Sequence, residues 1–559
     1  MTSAWLDLGA VALVVLGTVG FGVYGVRLAR TTSDFLVASR SVGPVWNASA
    51  IGGEYLSAAS FLGIAGLVMA YGADMLWYPV GFVAGYVVLL MLVAAPLRRS
   101  GAYTVPDFAE LRLGSKAVRR VTSVLVVAIG WLYLLPQLQG AGLTLATVTG
   151  APRWVGAVVV SVVVTISVAG GGMRSATFVQ AFQFWLKLAA LAVPAIVLVL
   201  AWRGDGAPAL AGPALPTFPE QTTVQLTNPV EVDVTASTSV RIDGVPATLE
   251  AGRRRLAGEV VFPAGALVPH RTAIKAATGD AWQEPLSGAG GRQHPLYSTY
   301  ALVTATFLGT MGLPHVLVRF YTNPDGRSAR RTTLVVLVLL GAFYLLPAIY
   351  GALGRHYVPQ LLTTGNTDAV VLTLPGAAVG GLAGSVLEAL LVAGAFAAFL
   401  STSSGLLVST AGVLFQDVLR GTVGDFRKAA VVAGLVPLAL ALAGQGLSVG
   451  VAVGLAFAFA ASTFCPLLVL GIWWPGLTAT GAMAGLLTGG LVSGAAILAT
   501  LVGAGSGGWT GALLAQPAVW TVPLTFGVMI VSSRFTARQI PSDVGRTMLL
   551  LHAPEAAHD

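Results

Sequence analysis

Two things are scarce in this chain: cysteine and charge. One cysteine, Cys465, stands among 559 residues, and Asp, Glu, Lys and Arg together make up 10%. A lone cysteine excludes an intramolecular disulfide framework and a cysteine-based zinc site, and within an apolar stretch it reads as a small packing residue. So little charge excludes an ordinary soluble domain, where about a quarter of residues are charged. Metal-ligand spacings, a nucleophile elbow, a phosphate loop and a paired His–carboxylate constellation are all missing, so a membrane enzyme would lack its chemistry. Asp7, rather than Lys or Arg, precedes the first apolar run, which does not fit a cleaved signal peptide. Coiled-coil heptads and low-complexity tracts are likewise lacking.

What is present is hydrophobic. Apolar residues reach 55% and mean hydropathy is +0.81, as in a polytopic protein whose main partner is the lipid bilayer. Runs near the ~20 residues that cross the hydrocarbon core fall at 8–26, 47–70, 75–96, 120–147, 153–170, 177–202, 298–316, 332–354, 378–415, 429–445, 449–472, 478–503 and 518–533. Thirteen transmembrane helices are expected. The run at 378–415 is long enough to include an extracellular shoulder.

The formal net charge of +8 marks the cytoplasmic side rather than a nucleic-acid site. With the N-terminus outside, the cytoplasm receives Arg27, Arg30, Arg40, Arg98, Arg99, Arg112, Lys116, Arg119, Arg120 and Arg174. It also receives Arg319, Arg327, Arg330, Arg331, Arg420, Arg427, Lys428, Arg534, Arg538 and Arg546. The short outer loops carry little beyond Arg153 and Arg355, so N-out, C-in in the cell membrane is expected.

Residues 203–297 differ in kind. Alternations such as Val230-Glu231-Val232-Asp233-Val234 and Val240-Arg241-Ile242 predict strands, and Asp243-Gly244 predicts a hairpin turn. A small β-rich extracytoplasmic insert is expected there, with the arginines 253–255 in a solvated turn. The chain thus divides into 1–46 (first helix and loop), 47–202 (spans 2–6), 203–297 (insert), 298–472 (spans 7–11) and 473–559 (spans 12–13 and tail).

Polar residues inside spans carry the functional signal. In span 2, Gly52-Gly53 weakens the helix, and broken backbone at membrane depth belongs where it lines a cavity. The carbonyls of Gly53 and Leu56 are candidate oxygen ligands. Ser57, Ala58, Ala59 and Ser60 open the following half-helix, whose N-terminus favours an anion. Small residues here also fit plain helix packing. In span 9, Ala398, Ser401 and Thr402 share one face and offer a carbonyl and two hydroxyls. The two segments together predict a cation cage of Gly53, Leu56, Ala398, Ser401 and Thr402. Span 7 is interrupted over Gly309-Thr310-Met311-Gly312-Leu313-Pro314. Interrupted spans five positions apart predict an inverted repeat with a midplane site.

Other polar groups stay open. Glu54 flanks the cage as a gating or coupling candidate, a proton carrier, or a carboxylate bonded to a neighbouring span. Lys187 is expected to snorkel or pair, without a transport role. Glu388 is expected to reach the interface. Gln137, with Gln139, lines the cavity or bonds between helices. His315 reads as structural or gating.

At these residues the chain resembles the sodium:solute symporter family, and within it the cation/acetate (monocarboxylate) symporters. The resemblance runs over nearly all spans and is strongest at residues 53–63, at Gly312-Leu313-Pro314-His315 with Arg319-Phe320, at Gly171-Gly172-Met173 leading to Gln180, and at Ser401-Thr402 with Gln416-Asp417. It implies an all-α, inverted-repeat (LeuT-type) transporter with alternating access. It also implies a co-transported sodium ion held by Gly53, Leu56, Ala398, Ser401 and Thr402, no other cofactor, and substrate against Ser57, Ala58, Ser60 and Gln137. Where some relatives carry an aspartate for a further sodium, this chain has Thr177, which favours one ion per substrate. One sodium with one acetate, propionate or pyruvate is the expected cargo. Sodium- or proton-coupled transport of a proline-like amino acid or a sugar, and a sensor using the insert, are the alternatives. No obligate protein partner is expected.

Overall fold

In the computed structural model, the described residues are 2–28, 38, 42–210, 216–272, 274, 279–286, 294–419, 423–443, 449–503 and 507–553. Arg30, Arg40 and Arg420, used above to orient the chain, lie outside them. Eleven helices among the described residues are long and apolar enough to cross a membrane. Two are long enough for two crossings of ~20 residues each: Ser60–Arg99, with 40 residues, and Arg153–Gly204, with 52. Each contains a glycine with positive φ, Gly72 at 77° and Gly172 at 56°. At Gly172 the longer helix kinks between the runs expected as spans 5 and 6. Side chains such as Leu13, Ile196, Leu345 and Leu491 are exposed on the outside of the bundle, where lipid is as apolar as they are.

Span 2 runs as Pro44–Tyr55, then a single π-turn over Ala59–Gly63, then Ile64–Tyr71. Span 7 runs as Pro295–Gly312 and Pro314–Val318, with extended backbone at Leu313 (φ −78°, ψ 113°). Proline at the first position of the second piece has no N–H to give the preceding turn. The Tyr55 hydroxyl and Thr310 Oγ1, 2.8 Å apart, join the two interrupted spans. The long run around span 9 divides at Gly380 and Gly381, both at positive φ, into a short helix, Val370–Ala378, and the span itself, Gly381–Leu414. Glu388 folds back across that division, accepting from the Gly376 N–H at 3.1 Å.

The insert holds five strands: β1 (Thr222–Val234), β2 (Thr238–Ile242), β3 (Val245–Leu249), β4 (Gly252–Phe262) and β5 (His270–Arg271). Their order is β3-β2-β4-β1-β5. Ile242 pairs with Val245, and Asp243 and Gly244 between them both have positive φ, as a two-residue hairpin turn requires. Val224, Val232, Val260 and Phe262 form its buried face. The arginines 253–255 correct the sequence reading. They lie on β4 opposite Asp233, Val232 and Glu231, because their alternation continues the strand past the expected turn. The insert reaches the bundle through Trp282, whose indole N–H donates to Val68 O (2.8 Å) at the end of span 2.

Candidate functional site

The interruption of span 2 lies three residues beyond the glycine pair. Leu56 N–H still bonds Gly52 O at 3.0 Å, but Ser57 N–H turns to Tyr55 O (2.8 Å) and Ser60 N–H to Ser57 O (2.9 Å). The helical acceptors for those two amides, Gly53 O and Leu56 O, are therefore free of the ladder. Gly52 and Gly53 themselves remain helical, which corrects the expectation that they break the helix. Their role is close packing. A Cβ on Gly53 would stand 2.3 Å from Gln180 O, and one on Gly52 would stand 2.9 Å from the Phe184 ring. This brings span 6 against the break.

Span 9 meets the freed carbonyls from the other side. Ser401 Oγ donates to Gly53 O at 2.6 Å and lies 3.0 Å from Ala398 O. Thr402 Oγ1 donates to Glu54 O at 2.7 Å. Gly53, Leu56, Ala398 and Ser401 are thus gathered, while the Thr402 hydroxyl serves the adjacent carbonyl.

The centre of the cradle is filled by the chain itself. Lys187 Nζ lies 2.5 Å from Gly53 O, 2.5 Å from Leu56 O and 3.3 Å from Ser401 Oγ. Lys187 is fully buried. Of the two expectations for Lys187, snorkelling is corrected, and it pairs instead, with the oxygens of the cradle. It sits near the middle of its span, too far from either end for its four-carbon stem, and the freed carbonyls are the acceptors within reach.

A second buried cation stands beside it. Arg319, at the end of the short helix after the span 7 break, donates from Nε to Glu54 Oε2 at 2.6 Å and from Nη1 to Thr177 Oγ1 at 2.7 Å. Its Nη2 meets Gln180 Oε1. Gln180 Nε2 continues the network to Ser401 O at 2.8 Å. Glu54 is therefore the carboxylate bonded to a neighbouring segment, one of the readings open above. Thr177, whose hydroxyl accepts from Arg319, is thereby tied to the same network. Two basic side chains, Lys187 and Arg319, thus stand beside one carboxylate, Glu54.

Ser57 and Ser60 are buried with Oγ atoms 3.2 Å apart, and Ala58 between them is also buried. Tyr133 of the helix Lys116–Thr149 stacks on His315, with centroids 5.3 Å apart, and hydrogen-bonds Ser57. Gln137 follows Tyr133 by one turn, on the same face. Among the described residues, both side-chain polar atoms of Gln137 and both ring nitrogens of His315 are buried without a hydrogen-bond partner. Sequence reasoning missed Lys187 and left Arg319 and Gln180 without roles. The signal was there: a lysine and an arginine that hydropathy cannot place in lipid.

The model of the sodium:solute symporter family matches residues 35–211 and 286–489. The chain belongs to that family. Residues 212–285, which hold the whole sheet, fall between the two matched stretches of the symporter family. A monocarboxylic acid transporter of Corynebacterium glutamicum is 30% identical over 534 residues, 89% of this chain and 86% of that protein. An uncharacterized symporter of Bacillus subtilis, YwcA, is 30% identical over 500 residues, 88% and 84% of the two chains. Among solved structures, a Na+-coupled sialic acid symporter in a substrate-bound, outward-open state superposes with a TM-score of 0.63 at 14% identity, covering 96% of this chain and 98% of that one. Mhp1, a nucleobase-cation-symport-1 family transporter in a closed conformation, superposes with a TM-score of 0.55 at 13% identity, covering 93% and 99%. The fold is accordingly that of the inverted-repeat (LeuT-type) transporters, all-α in its membrane part.

Proposed function

We propose that the protein is a secondary active symporter that takes up a small monocarboxylate, of the acetate, propionate or pyruvate type, driven by a cation gradient across the cell membrane. The observation that carries the reading is the interruption of span 2. Its freed carbonyls, the facing hydroxyls of span 9, the basic side chains of Lys187 and Arg319, and Gln137 and His315 lie in one buried region. Such a region suits a small anion, and the Corynebacterium relative's name supports a monocarboxylate. Substrate rests against Ser57, Ala58, Ser60 and Gln137. Glu54 with Arg319, and His315, are positioned to couple span 2 to the segment after span 7 as access alternates. No enzymatic step is assigned.

The repeats comprise 47–202 and 298–472, with the N-terminus outside and the C-terminus in the cytoplasm, in accord with the basic loops. The family's name and the sialic acid symporter's title support sodium as the coupled ion, with Gly53, Leu56, Ala398, Ser401 and Thr402 its proposed ligands. One observation favours a second reading, in which the cradle holds no sodium: Lys187 Nζ already lies on its carbonyls.

The test is uptake of labelled acetate, pyruvate and proline into proteoliposomes, with sodium and proton gradients imposed separately. Concentrative uptake of acetate or pyruvate is expected. Accumulation of proline alone, or flux that only equilibrates, would refute the substrate class or the symport.

A further inference from the structure

The cradle between spans 2 and 9 already contains a cation, one that belongs to the polypeptide. We propose that the Lys187 ammonium is the permanent occupant of this cradle in place of a sodium ion, so that the protein binds no sodium there and does not need sodium for uptake. The inference rests on reading the span 2 interruption as the transport site.

The donor count supports it. An ammonium group has three N–H donors, and Lys187 Nζ faces three oxygens: Gly53 O and Leu56 O at 2.5 Å and Ser401 Oγ at 3.3 Å. The group is complete as it stands. The hydroxyls are committed as well, Ser401 to Gly53 O and Thr402 to Glu54 O. Every expected ligand of a metal cation is thus engaged by a group of the protein.

Charge supports it too. Sodium and an ammonium would compete for the same two carbonyls and repel each other where little water screens them. The nearby carboxylate offsets this only in part, because Glu54 is bonded to Arg319 at 2.6 Å. A buried ammonium without a carboxylate is costly unless fixed oxygens replace its water, and the freed carbonyls of span 2 are such oxygens. Gly53 lets the two helices approach, since a Cβ there would overlap Gln180 O. The lysine therefore ties span 6 to spans 2 and 9 by the contacts an ion would make. A tethered charge cannot cross with the substrate, so the driving cation enters without using this cradle.

Two measurements on the purified full-length protein decide the matter. The first is thermal unfolding in detergent as sodium replaces N-methylglucamine at constant ionic strength. The wild type is expected to show no saturable sodium stabilisation, whereas Lys187→Ala, with the cradle vacated, gains one. The second is uptake driven by an imposed proton gradient. Removing sodium should leave wild-type uptake within about twofold. A saturable sodium stabilisation of the wild type, or a loss of about tenfold or more in uptake without sodium, would overturn the proposal. Should Lys187→Ala fail to fold, the wild-type sodium titration decides alone. Absence of concentrative uptake under either gradient counts against the symport reading and leaves the unfolding result to judge Lys187.

Discussion

At the scale of single residues, the buried charges set the strongest expectations. Arg319 and Glu54 are both at most 1% exposed at the side chain. Replacing Arg319 by Gln leaves Glu54 buried against an uncompensated environment, and removal of one partner from such a pair costs about 3–5 kcal/mol. Arg319→Gln should therefore unfold at markedly lower temperature in detergent, and adding Glu54→Gln should recover part of the loss. Recovery distinguishes a charge effect from lost packing. Gly405 gives a steric expectation in the same place, since a Cβ there would stand 2.0 Å from the Glu54 carboxyl carbon. Gly405→Ala should abolish uptake, while Gly341→Ala, whose Cβ meets nothing within 4 Å, should fold and transport normally. Equal uptake by the two variants would contradict the placement of Glu54.

Between elements, a polar cluster ties span 9 to span 4. Arg119 contacts Asp107 at 2.8 Å, Glu110 at 2.6 Å and Asp417 at 2.5 Å, and Ser123 also bonds Asp417. Asp107 and Glu110 lie on the helix Val105–Leu113, which Thr104 and Asp107 close with a reciprocal capping box. Asp417→Asn should loosen that helix from the end of span 9, read as faster amide hydrogen exchange over 105–113 with the centre of span 9 unchanged. Span 8, Gly326–Tyr357, begins with Asp325, which accepts from the Ser328 N–H at 2.6 Å. That hydrogen bond holds the Asp325 carboxyl below its ordinary value. Its contribution is complete above the unfolded value of ~3.9 and is lost as pH falls through the lower folded value. Asp325→Ala should cost about 1 kcal/mol, the usual worth of an N-cap, in thermal unfolding near neutral pH, and the difference should vanish in strong acid.

On the scale of the whole molecule, the sheet is an addition to a transporter frame. Its strands lie within 222–271, outside the matched family stretches, and its nearby anchor is Trp282, on which Arg355 also stacks at 4.8 Å. Replacing 212–285 with a short Gly-Ser linker should preserve uptake and lower the unfolding temperature, because the end of span 2 loses the indole donor to Val68 O. Loss of uptake in a variant that still reaches the membrane would give the insert a part in transport. His270 on β5 faces Asp233 at 3.9 Å. Burial pushes its imidazole below the ordinary value, and Asp233 offsets this in part. A His whose folded value is depressed stabilises the sheet fully above ~6.5 and loses that contribution as pH falls through the window below. Amide protection in 222–271, corrected for the intrinsic pH dependence of exchange, should therefore fall between neutral pH and pH 5, and His270→Gln should flatten the change.

The sequence by itself determined which stretches are apolar enough to enter lipid, the Asp243-Gly244 hairpin, and an interruption of span 7 within residues 309–314, which the structure narrows to Leu313. These follow from local properties: transfer of side chains, turn geometry, and proline's missing N–H. It also marked span 2 and span 9 as the polar segments of interest. Tertiary structure alone decided that span 2 opens at Leu56-Ser57, that Gly52-Gly53 serves packing, and that Lys187 lies on Gly53 O, Leu56 O and Ser401 Oγ, partners 134, 131 and 214 residues away. Hydropathy registers a buried lysine only as a cost. Which oxygens offset that cost depends on how three helices pack, and on the missing Cβ of Gly53 that lets them meet.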